Sequence, residues 1–195
     1  MGIQSEDRSH TGDLVVIGSS AGGIEALSIL VSTLPQYFPA PIVLAQHLDP
    51  HHVSNLAAIL QRKTTLAVEE VTSSSLMQPG KIYVIPADRQ VIIADGHVAV
   101  QDDPTLRPRP SVDRLLTTAA GIYGERLIAV ILTGSGSDGT AGSIEVKRAG
   151  GTVIIQNPGT ALYPSMPLSL PPTIVDFVTD IEGIGPLLTD LLQSC

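Results

Sequence analysis

Short apolar runs recur along the chain, and between them lie stretches with helical spacing. Asp13-Leu-Val-Val-Ile17, Pro41–Ala45, Leu127-Ile-Ala-Val-Ile-Leu132 and Thr152–Ile155 carry almost no polar residue. A strand with one wet face alternates polar and apolar, so these read as strands buried on both faces. Gly22–Leu34 places Ile24, Leu27, Ile29, Leu30 and Val31 on a helical face, and Pro35 ends it. Val53–Leu60 is a weaker helical pattern and Ala67–Val71 a candidate strand. Further helices are predicted from Ser111 to about Gly121, over Asp138–Arg148 and over Ile184–Leu192, with a last strand over Ile174–Val178 and a loop or short helix over Pro164–Pro172. Strand–helix alternation of this kind predicts an α/β fold: three layers, α/β/α, around a doubly wound, mainly parallel sheet. Lys81–Ile85 and Val91–Ala94 are also strand-like, and Asp95-Gly96 before His97-Val-Ala-Val100 is a turn signal. An antiparallel hairpin inserted at a sheet edge is therefore expected. Residues 1–12 read as a polar lead and 13–195 as one domain.

Composition narrows the partners. Eleven Lys and Arg against nineteen Asp and Glu leave a net charge of −8, the opposite of what phosphate neutralisation requires. Aromatic residues make up 3%, which gives bases little to stack on. No nucleic acid is expected. The longest clean apolar run, Leu127–Leu132, is too short to cross a bilayer. No basic region followed by an apolar stretch opens the chain. The single cysteine, Cys195, forms no internal disulfide and no cysteine zinc site. The expectation is a cytoplasmic protein without membrane insertion and without a cofactor or metal.

In open α/β sheets the site lies beyond the carboxyl ends of the strands, which singles out three loops. The first is Gly18-Ser19-Ser20-Ala21-Gly22-Gly23, containing G-x-S-x-G. Such a turn exposes the central hydroxyl, and free amides at a helix start can hold an oxyanion. The plainer alternative is that Ser20 caps a helix. The loop matches neither G-x-G-x-x-G nor a phosphate-binding loop ending in Lys-Ser/Thr. The second loop is Gln46-His47-Leu48-Asp49-Pro50-His51-His52. A histidine directly after a buried strand suits general-base work, because an imidazole titrates near neutrality. The rival reading is a metal site built from His47, Asp49, His51 and His52, which Pro50 makes awkward by breaking helical spacing. His10 and His97 read as surface residues. The third loop is Thr133-Gly134-Ser135-Gly136-Ser137-Asp138-Gly139. Asp138 reads either as the N-cap of the helix after it or as the carboxylate that orients an imidazole. Ser20, His47 and Asp138 together would supply nucleophile, base and orienter in an order unlike that of α/β-hydrolases.

At this point a resemblance enters. The chain resembles the catalytic domain of the chemotaxis protein-glutamate methylesterases, the CheB family, over about residues 13–193. The carriers are Val15–Glu25, Gln46-His47, Pro79-Gly80 with Tyr83–Pro86, Arg109-Pro-Ser-Val-Asp113, Leu132–Gly139, Ala149-Gly-Gly151 with Gln156-Asn157, and Pro164-Ser-Met-Pro167. Gln46–Pro50 and Gly134–Gly139 are most similar to the versions in CheB/CheR fusion proteins. The resemblance implies Ser20 as nucleophile, His47 as base then acid, Asp138 as its orienter, and the backbone N–H groups of Ala21 and Ser135 as the oxyanion hole. Ser135 stands where the chemotaxis enzymes often have Met. The implied reaction is hydrolysis of glutamate γ-methyl esters on the cytoplasmic helices of receptors, with deamidation of receptor glutamines as a second activity. A receiver domain, common in such enzymes, is not expected within this chain, so it or a methyltransferase partner would lie in other chains. Arg107, Arg109 and Arg114 are candidates for a positive patch toward an acidic receptor, or else ordinary solvated charge. A catalytically silent sensor or docking domain is the alternative function.

Overall fold

The computed structural model describes residues 12–48, 55–101, 105 and 107–193. Seven strands form one sheet, every neighbouring pair parallel: β1 (Leu14–Ser19), β2 (Ile42–Gln46), β3 (Ala67–Glu70), β5 (Lys81–Val84), β8 (Leu127–Ile131), β9 (Thr152–Gln156) and β10 (Phe177–Thr179), in the order β10-β9-β8-β1-β2-β5-β3. The central strand, β1, pairs with β2 through Val15↔Ile42 and with β8 through Leu14↔Leu127.

The apolar runs divide by parity. Leu14, Val16, Val43, Ala45, Leu127, Ala129 and Ile131 join one buried cluster, and Val15, Ile17, Ile42, Leu44, Ile128 and Val130 join another. Successive side chains of a strand point to opposite faces, so each run needs cover on both sides. Helices α1 (Gly23–Ser32), α2 (Leu56–Gln61) and α6 (Ile181–Gln193) supply it on one face; α3 (Val112–Tyr123) and α4 (Thr140–Arg148) supply it on the other. This is the three-layer arrangement expected.

The hairpin is present with its turn at Asp95-Gly96, Ala94 facing His97. It does not extend the edge of the parallel sheet. β6 (Gln90–Ala94) and β7 (His97–Gln101) join β4 (Ser74–Leu76) in a separate antiparallel sheet of order β4-β7-β6. Val91, Ile93 and Val98 pack into the same cluster as α3, and the Ile93 N–H donates to Thr118 Oγ1 at 3.1 Å. Lys81–Val84, by contrast, lies inside the parallel sheet between β2 and β3. The last strand also differs from expectation: Pro172–Ile174 forms a 3₁₀ turn, so pairing starts only at Phe177. Proline has no N–H for a sheet ladder. A short helix, α5 (Ser165–Ser169), follows the loop after β9.

Candidate active site

β1, β2 and β8 are neighbours, so the three loops leave the sheet side by side. In the first, Ser20 donates its N–H to Thr133 O at 3.0 Å, and its carbonyl accepts from Gly23 N at 2.8 Å. The N-cap of α1 is Gly22, at φ 76°, with no side-chain cap bond. That left-handed conformation is open to glycine and strained for most other residues. Ser20 therefore does not cap the helix, and among the described residues its hydroxyl makes no hydrogen bond. Gln46, buried at the end of β2, binds the first loop to the second. Its Nε2 donates to Ser20 O and His47 O, both at 2.7 Å, and its Oε1 accepts from Ser19 Oγ at 2.5 Å.

The third loop is bound to the first just as closely. Thr133 donates its N–H to Gln156 Oε1 at 2.8 Å and its hydroxyl to Ala21 O at 3.1 Å. The Gly134 N–H reaches Tyr163 O at 2.9 Å, and Met166 N reaches Gly134 O at 3.0 Å. A methyl group built on Gly134 would fall 2.1 Å from the Met166 sulfur and 2.8 Å from Ser20 Cβ. Only glycine permits so close an approach.

His47 Nε2 lies 2.8 Å from Asp138 Oδ2, a contact between residues 91 apart in sequence. Since a carboxylate only accepts, Nε2 carries the proton, and the lone pair of the neutral ring lies on Nδ1. Ser20 and His47 line one open cleft of about 470 Å³ with Gly22, Gly23, Ile24 and Gln46. The N–H groups of Ala21 and Ser135 have no acceptor among the described residues; Ala21 is half-buried and Ser135 exposed.

Asp138 is not the N-cap of the helix that follows it. That position belongs to Gly139. The Asp138 carboxylate instead caps α3: Val112 N–H donates to Oδ2 at 2.7 Å, Asp113 N–H to Oδ1 at 2.9 Å, and Ser111 Oγ lies 3.3 Å from Oδ1. Burial works to raise the Asp138 pKa, but the hydrogen bonds from His47 and from the Asp113 and Val112 amides outweigh it and hold the carboxyl below its ordinary value. Its neighbour Asp113 is shifted the other way, by burial first and also by the charge of Asp138, against bonds from the Gly142 and Gly139 amides.

Two of the three candidate patch arginines are already paired: Asp88 Oδ1 lies 3.1 Å from Arg107 Nη1 and 2.8 Å from Arg109 Nη2. Arg114 bonds Gln101 Oε1. His97 donates Nδ1–H to Asp95 O at 3.0 Å within its hairpin turn. Of the histidine-rich loop, Asp49, His51 and His52 lie outside the described residues, as does His10. Gln46, Asp113, Thr133, Gln156 and Met166 also support the site, and the sequence motifs do not single them out for that role. A signal existed for two of them, since Gln46 and Gln156 are lone polar residues ending apolar strands.

A family model described as CheB methylesterase matches residues 15–188. The protein-glutamate methylesterase/protein-glutamine glutaminase of Thermotoga maritima is 40% identical over 82% of this chain and 48% of its own length. A putative enzyme of the same name from Leptospira interrogans is 34% identical over 93% of this chain and 96% of its own length. The chain thus spans about half the length of the Thermotoga relative and nearly all of the Leptospira one. The crystal structure of the Thermotoga maritima CheB methylesterase catalytic domain superposes with a TM-score of 0.85 at 38% identity, covering 93% of this chain and 99% of that one. No helix among the described residues is long and apolar enough to cross a membrane.

Proposed function

The chain belongs to the CheB methylesterase family, and we propose that it is a serine hydrolase that removes methyl groups from glutamate γ-methyl esters on chemotaxis-type receptors. The observation that carries this is the His47–Asp138 bond at 2.8 Å beside a cleft that His47 shares with Ser20. Ser20 Oγ attacks the ester carbonyl carbon while its proton passes to His47 Nδ1. Asp138 holds Nε2–H and stabilises the imidazolium that forms. The Ala21 and Ser135 N–H groups receive the oxyanion, whose charge develops only in the transition state. Collapse expels methoxide, which takes the proton from His47 and leaves as methanol. Water, deprotonated by the same imidazole, then releases the glutamate carboxylate and frees Ser20.

Relatives named both methylesterase and glutaminase support a second substrate. A glutamine side-chain amide passes through an analogous tetrahedral intermediate, bearing nitrogen in place of methoxide, to the same acyl-enzyme, with ammonia leaving. The proposed substrate is a cytoplasmic receptor helix, with the cytoplasm as the proposed site of action and a receiver domain or methyltransferase as a further proposed partner.

The test is methanol release from a methylated receptor cytoplasmic fragment, comparing wild type with Ser20→Ala. Release by wild type and a loss on the order of 10⁴-fold or more in the variant is expected. Near-full release by Ser20→Ala overturns the mechanism. A folded wild type inert on both the fragment and a blocked glutamate γ-methyl ester would mean a docking domain instead.

A further inference from the structure

Asp113 does no chemistry in the reaction above, yet it is a half-buried carboxylate bonded next to Asp138. Its Oδ1 accepts from Gly139 N at 2.9 Å and from Gly142 N at 2.7 Å. These are N-terminal amides of α4, the helix that begins just after Asp138, and the Gly139 N-cap offers them no side chain of its own. In return the Asp138 carboxylate accepts from Val112 N and Asp113 N, the first amides of α3. Each aspartate thus caps the other's helix. The exchange is closed: α3 holds the Asp138 carboxylate, and an α3 side chain holds the backbone from which Asp138 projects.

We propose that Asp113 is a positioning residue for His47, acting through Asp138. Asp138 sits in a loop with Gly134, Gly136 and Gly139 around it, a backbone with wide conformational freedom. An orienting carboxylate has to be fixed to a fraction of an ångström to hold an imidazole in one tautomer. The bonds to Val112 and Asp113 fix only its oxygens. The bonds from Gly139 and Gly142 to Asp113 fix its main chain. Without them two amides of α4 lose their acceptor, and the turn carrying Asp138 is free to retreat from His47 Nε2. The close approach of α4 to α3 is what brings these amides within reach of Asp113, since a methyl group on Gly142 would lie 2.8 Å from Asp113 O and 2.7 Å from Leu116 Cβ.

This inference rests on the assignment of Ser20, His47 and Asp138, and its test keeps the two apart. Asp113→Ala and Asp113→Asn are compared on a blocked glutamate γ-methyl ester, with the imidazole–carboxylate N–H proton followed by NMR in the folded proteins. Asn retains an oxygen for both amides. Asp113→Ala should lower kcat about 10- to 100-fold with KM nearly unchanged, and the His47 Nε2–H signal should broaden or vanish. Asp113→Asn should recover most of the rate and keep the signal. Should Asp113→Ala not fold, Asp113→Val, close to aspartate in shape but without an acceptor, takes its place: a wild-type kcat and an intact Nε2–H signal in that folded protein overturn the proposal. A folded Asp113→Ala with wild-type kcat and an intact signal overturns it too. The NMR readout needs no turnover, so failure of the serine assignment, seen as an active Ser20→Ala, is a separate result.

Discussion

The loops carrying Ser20 and Asp138 leave adjacent strands at the same end of the sheet, yet they are held by different means. The Ser20 turn is supported mainly by main-chain bonds, with the Gln46 amide bracing it from the next strand. The Asp138 turn depends on two carboxylates separated by 25 residues of chain, each bound to amides at the start of the other's helix. A serine held by its own backbone has little freedom to lose. A carboxylate whose turn hangs on a second side chain is precise only while that partner keeps an acceptor oxygen in place. The difference teaches that the Asp138 loop is the one that substitution and pH can disturb.

Asp138→Asn should break the comparison hardest. It keeps the shape of the loop but favours the wrong imidazole tautomer, so kcat should fall about 10³- to 10⁴-fold, measured on the small ester. Its stability effect should depend on pH. The folded-state pKa of Asp138 is depressed, so its contribution is present above the ordinary aspartate value, about 3.9, and lost as pH falls through the depressed one. Urea unfolding of wild type and variant should differ by about 1–3 kcal/mol near neutrality, with the gap closing in acid. Asp113, with its raised pKa, works the other way, and a gap that widened in acid would mean that Asp113 dominates the pair.

Gln46→Ala strikes the first loop instead. Ser20 O loses one of its two donors and His47 O loses the Gln46 donor, at a cost of about 2–3 kcal/mol, or a Tm lower by roughly 5–10 °C in a protein of this size. Thermal unfolding monitored by circular dichroism checks it. A Tm within a degree of wild type would show that the main chain alone holds the Ser20 turn. Ser111→Ala should act least. It removes the α3 cap that accepts from Arg114 N at 3.2 Å, worth about 1 kcal/mol, and the 3.3 Å contact to Asp138. With the amides of Val112 and Asp113 still in place, kcat should stay within a few-fold of wild type.

The same contrast explains what could be read from sequence. Val15–Ile17 and Leu127–Leu132 announce strands because burial on both faces leaves no room for a polar residue. The Gly18–Gly23 turn and the turn at Asp95-Gly96 are local features and equally visible. β4 escaped because Ser74-Ser75-Leu76 has no apolar alternation and exists as a strand only by pairing with β7. The last strand begins later than its sequence suggests, because Ile174 and Val175 look strand-like while Pro171 and Pro172 impose a turn on them. Asp138 was recognisable as a candidate by its place after a central strand, but the helix it caps was not. Local spacing points to α4, and the actual partner, α3, is brought near only by the tertiary fold. Asp113 was hidden for the same reason.

The 91 residues between His47 and Asp138 also have a consequence in time. At about 5–20 residues per second, a ribosome that has synthesised His47 takes roughly 5–18 s to reach Asp138. During that interval β1 and β2 can pair, but the edge of β1 that faces β8 has no partner. That edge belongs to the most apolar strand of the N-terminal half, and open apolar edges invite pairing with other chains. The His47–Asp138 contact and protection of the central strand therefore arrive together, when residues 127–138 join the sheet.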